Sequence, residues 1–190
     1  MNQTTNFNFF DIQDLTDLQK EIRNAINQKK FDLLSINTKE LLTEIAYNIV
    51  IKKRYTREYK IPPYLLTLKS CSTDEILKVN YILSKLDAQK EEDFKKLFLV
   101  YPVLYIESIN IMDEFKNNIQ NIILPPIIKP DTTLEEKINE YENFFKNLPI
   151  EIYQEMTIII NEFADLLNAT RVFYKELVNF YMQTPNIYQG

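Results

Sequence analysis

Between Ile152 and Phe180 the core-type positions recur on a four-three spacing: Ile152, Met156, Ile159, Phe163, Leu166, Thr170, Phe173, Leu177 and Phe180. A 3.5-residue repeat held over four heptads suits one long α-helix and no strand, because strand side chains alternate with period two. The residue after each first-stripe position (Tyr153, Ile160, Leu167, Tyr174, Tyr181) is apolar as well. Three inward positions per heptad make a face broader than a two-stranded zipper requires, and fit the spine of a helical bundle. A helix of about 30 residues over 150–182 would be about 45 Å long. Thr170 interrupts the seam and reads as a tolerated polar residue rather than a register device.

Other segments repeat the helical signal. Leu15, Leu18, Ile22 and Ile26 fall at helical spacing, and Asn37 with Glu40 forms a capping-box pattern ahead of Leu42, Ile45 and Ile49. Ser72 with Glu75 and Thr132 with Glu135 repeat that box, while Asp87 reads as the N-cap of a segment carrying Phe94, Leu97 and Phe98. Ile61-Pro62-Pro63 is expected to stop the second helix, and Pro102 to kink or restart another. Val103 to Ile123 follows, apolar on nearly every side in its first half, as a buried central helix would be. No stretch shows sustained strand alternation. The expected fold is therefore all-α, a helical bundle of about six or seven helices built around the 150–182 helix. One domain is expected over 1–190, with an aromatic tail (1–13), a Pro-rich connector (124–130), a C-terminal helical pair (131–182) and a second tail (183–190). The connector, Leu124 to Pro130, reads as a stiff linker whose isoleucines pack on the domain, ahead of a docking peptide.

Composition narrows the chemistry. The chain has no His or Trp, one Cys (Cys71) and one Gly, the final Gly190. Without imidazole there is no Ser-His-Asp triad, no HExxH zinc site and no Glu-x-x-His di-iron pair. Without internal glycine there is no Walker loop and no dinucleotide-binding turn. Cys71 alone gives no disulfide framework, and the carboxylate runs (Glu91-Glu92-Asp93, Asp113-Glu114, Glu135-Glu136, and Glu151, Glu155, Glu162) read as solvated helix faces. No cofactor, metal site or catalytic residue is expected. The N-terminus lacks a basic and apolar signal segment, and the longest apolar run, Leu97 to Ile106, contains Pro102. The expected location is intracellular or inside a virus particle, neither secreted by a signal peptide nor transmembrane. Abundant Asn, Ile, Lys, Tyr and Phe, with Lys outnumbering Arg 18 to 4, point to an AT-rich genome.

Net charge is −5, but residues 1–90 carry 14 basic and 11 acidic side chains while 91–190 carry 8 and 16. The basic half holds one cluster that interleaves cations with aromatics: Lys52, Lys53, Arg54, Tyr55, Arg57, Tyr59 and Lys60. On a helix, Lys53, Arg57 and Lys60 would share a face suited to phosphates, and the tyrosines could stack on bases. The plainer reading is cations offsetting the partial negative charge of a helix C-terminus. Both tails are apolar: Phe7, Phe9 and Phe10 at one end, Ile187 and Tyr188 at the other, candidates for docking on neighbouring subunits. The leading expectation is a non-enzymatic structural or adaptor subunit of a larger protein assembly, such as a virion or phage particle, with protein partners that include further copies of itself. The alternative is an accessory nucleic-acid-binding helical subunit of a ribonucleoprotein or DNA-processing complex that uses 52–60. An assembly subunit should expose an apolar patch, a nucleic-acid binder a positive surface over Lys52–Lys60, and an enzyme a pocket of converging carboxylates.

Overall fold

The computed structural model describes residues 17, 20–22, 24, 25, 27, 28, 30–87, 89–117 and 119–183. The protein is a mixed α/β molecule; among the described residues it is mostly helical, with six helices and a three-stranded antiparallel sheet. This corrects the all-α expectation. The elements are α1 (helical residues between 17 and 28), α2 (Ile36–Val50), β1 (Thr56–Ile61), β2 (Tyr64–Lys69), α3 (Thr73–Lys85), α4 (Glu91–Tyr105), β3 (Ile106–Ile111), α5 (Leu134–Asn147) and α6 (Ile150–Gln183). Short 3-10 turns lie at Phe31–Leu33, Asp113–Phe115 and Ile119–Asn121. Two compact units result: residues 48–164, and the residues up to Tyr47 together with those from Asp165 on. No helix among the described residues is long and apolar enough to cross a membrane.

In the second of these units, α1 buries Ile22 and Ala25, α2 buries Leu41, Leu42, Ile45 and Ala46, and the distal half of α6 buries Leu166, Leu167 and Phe173. The start of α2 is held by a divided capping box. Ser35, not Asn37, is the cap: its hydroxyl accepts the Thr38 N–H at 3.2 Å. The carboxylate that should reach back to the cap comes from Glu21 on α1, which accepts the Ser35 N–H and, at 2.6 Å, the Thr38 hydroxyl. Burial pushes the Glu21 carboxyl up, but these hydrogen bonds outweigh it and hold it below the usual glutamate range.

In the unit of residues 48–164 the strands run in the order β1-β2-β3. Ile61 pairs with Tyr64 in antiparallel register across Pro62-Pro63, so these prolines turn a hairpin rather than end a helix. Rungs Tyr59–Leu66–Ile109 and Ile61–Tyr64–Ile111 set one face of the sheet, and most of their side chains are buried. Against that face α6 inserts Phe163, fully buried, with ring centroids of Tyr55, Tyr59 and Tyr105 at 6.0, 6.5 and 6.2 Å. Phe144 of α5 meets Tyr64 edge-on at 5.6 Å. The heptad seam is buried from Met156 to Phe173, and the Thr170 hydroxyl returns to the Leu166 carbonyl at 2.8 Å, a self-satisfied polar residue.

The expected central helix over 103–123 is overturned: α4 ends at Tyr105, three residues past Pro102, and β3 begins at once. Pro102 sits inside the last turn of α4. The cause of the misreading lies in the pairing. Thr67 pairs with Ser108 but Leu68 with Ile106, so Glu107 is an extra residue in the ladder. Ile106 and Ile109 thus reach the same side three residues apart, a spacing that imitates a helix. Ser72 caps α3 through the expected box with Glu75. The box on α5 lies one residue beyond the expected one, at Thr133 and Glu136, and Asp87 does not cap α4, whose N-cap is Lys90.

Candidate functional site

The basic segment 52–60 is not one helical face. Lys52, Lys53 and Arg54 follow the end of α2, while Arg57, Tyr59 and Lys60 belong to β1. Strand alternation then divides them. Thr56, Glu58 and Lys60 are exposed; Arg57 is half-buried, and Tyr59 and Ile61 are buried. Arg54 forms an ion pair with Glu107 of β3, and the Arg57 guanidinium lies 5.5 Å from the Tyr59 ring centroid. Tyr55 stacks on Phe163, so both tyrosines of the cluster spend their rings on the interior of this unit. Burial, ahead of all else, raises the Tyr59 phenol, whose hydroxyl has no hydrogen-bond partner among the described residues. Lys52, Lys53 and Lys60 remain exposed cations.

A second group of charges gathers at the end of the sheet. Lys69 of β2 pairs with Glu75 of α3, and the same carboxylate accepts the Ser72 N–H at 2.8 Å. Lys137 of α5 donates to the Ile106 carbonyl at 2.5 Å. Burial and the neighbouring Lys69 charge lower Lys137 to about 8, against the pull of Glu107 and Glu75. Cys71 is half-buried, its thiol 3.8 Å from the Leu104 carbonyl. No three Cys, Asp or Glu side chains among the described residues converge as a metal site would require.

Two surfaces were not anticipated from the sequence. On α3 and α4, Leu77, Tyr81, Phe98 and Tyr101 are 60, 61, 65 and 44% exposed. The Tyr101 hydroxyl reaches Asn80 Oδ1 at 3.4 Å, which brings the two helix faces side by side. Leu77 and Tyr81 form a second apolar stripe beside the buried Val79 and Ile82, and that second stripe was the available signal. The other surface is a slot of about 510 Å³ between β3 and the Pro-rich connector, lined by Ile109, Ile111, Pro125, Pro126, Ile128 and Tyr141 among others. The connector is tied by the Tyr64 hydroxyl, which donates to the Ile123 carbonyl at 2.8 Å, and by a turn from Lys129 to Thr132. Its isoleucines do not both pack: Ile128 is half-buried, Ile127 91% exposed.

Phe7, Phe9, Phe10, Ile187 and Tyr188 lie outside the described residues. Comparison with known proteins returns nothing: no family model, no curated protein and no solved structure matches this chain.

Proposed function

We propose that this protein is a non-enzymatic structural or adaptor subunit that docks on other proteins of a larger assembly, a virion or phage particle being the setting its AT-rich composition suits. The carrying observation is the α3–α4 surface, where four large apolar side chains, Leu77, Tyr81, Phe98 and Tyr101, stand exposed together. Clustered exposure of this kind marks association sites more often than solitary surface leucines do. The basic segment supports a nucleic-acid partner less well, since its aromatic half is turned inward.

The test is a comparison of the wild-type protein with Leu77→Asp/Phe98→Asp by native mass spectrometry and sedimentation. The wild type should self-associate or retain protein subunits, and the variant should lose them while keeping the same thermal unfolding midpoint within a few degrees. A wild type that stays a bare monomer at every concentration would sink the reading. Copurifying nucleic acid that salt displaces, and that Lys52→Glu/Lys53→Glu abolishes, would replace it with the accessory nucleic-acid subunit.

A further inference from the structure

We propose that the slot between β3 and the connector is a strand-docking site, which receives an uncharged extended segment of a partner protein as a fourth strand beside β3. The proposal starts from the sheet order. β3 is an edge strand, so about half of its backbone N–H and C=O groups point away from β2 with no ladder to enter. Lys137 takes the Ile106 carbonyl, but no backbone hydrogen bond among the described residues joins 107–111 to the connector that runs opposite. The connector cannot supply the missing strand. Pro125 and Pro126 have no N–H to donate, and a chain held at Ile123 and again at Lys129–Thr132 has little freedom to close the gap. The result is a framed space, open to a guest. At a strand spacing of about 4.8 Å, a sheet depth of about 10 Å and a rise of about 3.4 Å, its 510 Å³ accommodates about three residues of extended chain.

A second observation points to the same occupant. Tyr141 lines the slot with its ring buried, and its hydroxyl, which is not among the fully enclosed polar atoms without a partner, opens onto the slot. A phenol with a buried ring and an open hydroxyl is a ready donor at the edge of such a space. A strand laid along β3 would bring it an acceptor, because a guest carbonyl can accept the Tyr141 proton. The lining also defines the guest. Ile109, Ile111, Ile119 and Ile128 offer apolar contacts, and the charged lining residues are already matched, Glu107 with Arg54 and Lys116 with Asp113. A guest charge would find no counter-charge free. The fitting segment is neutral, with β-branched or aromatic side chains at alternate positions.

This inference shares with the proposed function only the premise that the partner is a protein, and Tyr141 lies on a different surface from Leu77 and Phe98, so the two fail separately. The probe is a library of capped heptapeptides with Ser or Thr at odd positions and Val, Ile, Phe or Tyr at even ones. It is titrated against the full chain by fluorescence anisotropy beside a shuffled library of equal composition. The alternating library should bind saturably, N-methylation of alternate guest amides should weaken its best members at least ten-fold, and Tyr141→Phe should weaken them about five-fold with thermal stability unchanged. Equal binding of the shuffled or N-methylated peptides, or no saturable binding by any member, overturns the proposal. Amide-exchange protection of 107–111 that grows with protein concentration in the absence of peptide also overturns it, in favour of a second copy as occupant.

Discussion

Lys53 adopts φ 61°, a left-handed backbone that costs an L-residue with a Cβ about 1–2 kcal/mol. The turn needs it: just beyond, the Arg54 N–H returns to the Asn48 carbonyl at 3.2 Å. Glycine is the usual occupant of such a position, and this chain has none before residue 190. Lys53→Gly should therefore raise stability in urea unfolding by about 0.5–1 kcal/mol, and Lys53→Val should lower it by at least about 1 kcal/mol. Equal stability of the two variants would show that the left-handed turn does not exist. Tyr59 gives a second single-residue expectation. Its hydroxyl is buried without a partner among the described residues, so Tyr59→Phe removes a desolvation penalty and should be neutral or stabilising, by up to about 1 kcal/mol. A loss greater than that in the same assay would mean that the hydroxyl is bonded.

At the scale of elements, the packing of α6 against the sheet converges on Phe163, which touches three tyrosine rings and is fully excluded from water. Phe163→Ala should cost about 3–5 kcal/mol, measured as a shift of the denaturation midpoint at unchanged slope. The N-terminus of α3 depends on one carboxylate. Glu75 accepts the cap N–H and neutralises Lys69, so Glu75→Ala should cost about 2 kcal/mol, more than a cap alone, because Lys69 is left half-buried and unpaired. Elements built on local signals were legible: the Ser72–Glu75 box and the buried seam of α6 need only near neighbours in sequence. Strands were not, although β1 carries a clear alternation, with Thr56, Glu58 and Lys60 outward and Tyr59 and Ile61 inward. Six residues are too few to outweigh the helical signals on either side. In β3 the extra Glu107 broke the period outright. The divided box at Ser35 was illegible for another reason, since its carboxylate comes from 14 residues away.

For the whole molecule, composition and burial together shape the response to pH. With no His, the chain lacks the side chain whose ordinary titration falls between about 5 and 8. Glu21 and Glu75 have lowered folded values, so the unfolded chain binds protons first as pH falls, and stability declines below about 5. Lys137 is the opposite case. Its folded value of about 8 lies below the ordinary 10.5, so between those limits the unfolded state holds more protons and its contribution to stability rises with pH. Lys137→Met should abolish that rise in thermal unfolding measured from pH 7.5 to 9.5, and an unaltered slope would reject the buried, depressed amine. Above about 10 the buried tyrosines Tyr59 and Tyr64 act the other way, because their ionisation is easier once unfolded. The helix-rich character of the molecule was readable from capping and periodicity, whereas its interaction surfaces were not, because an edge strand and a proline frame exist only once distant segments meet. The extra residue in β3 has one more consequence, for how the gene can change length. Losing a single codon between Ile106 and Ile109 would restore a regular ladder and leave every inward isoleucine inward. Losing one between Ile109 and Ile111 would turn the end of the strand inside out. Descendants of this chain are free to vary in length at the first place and constrained at the second.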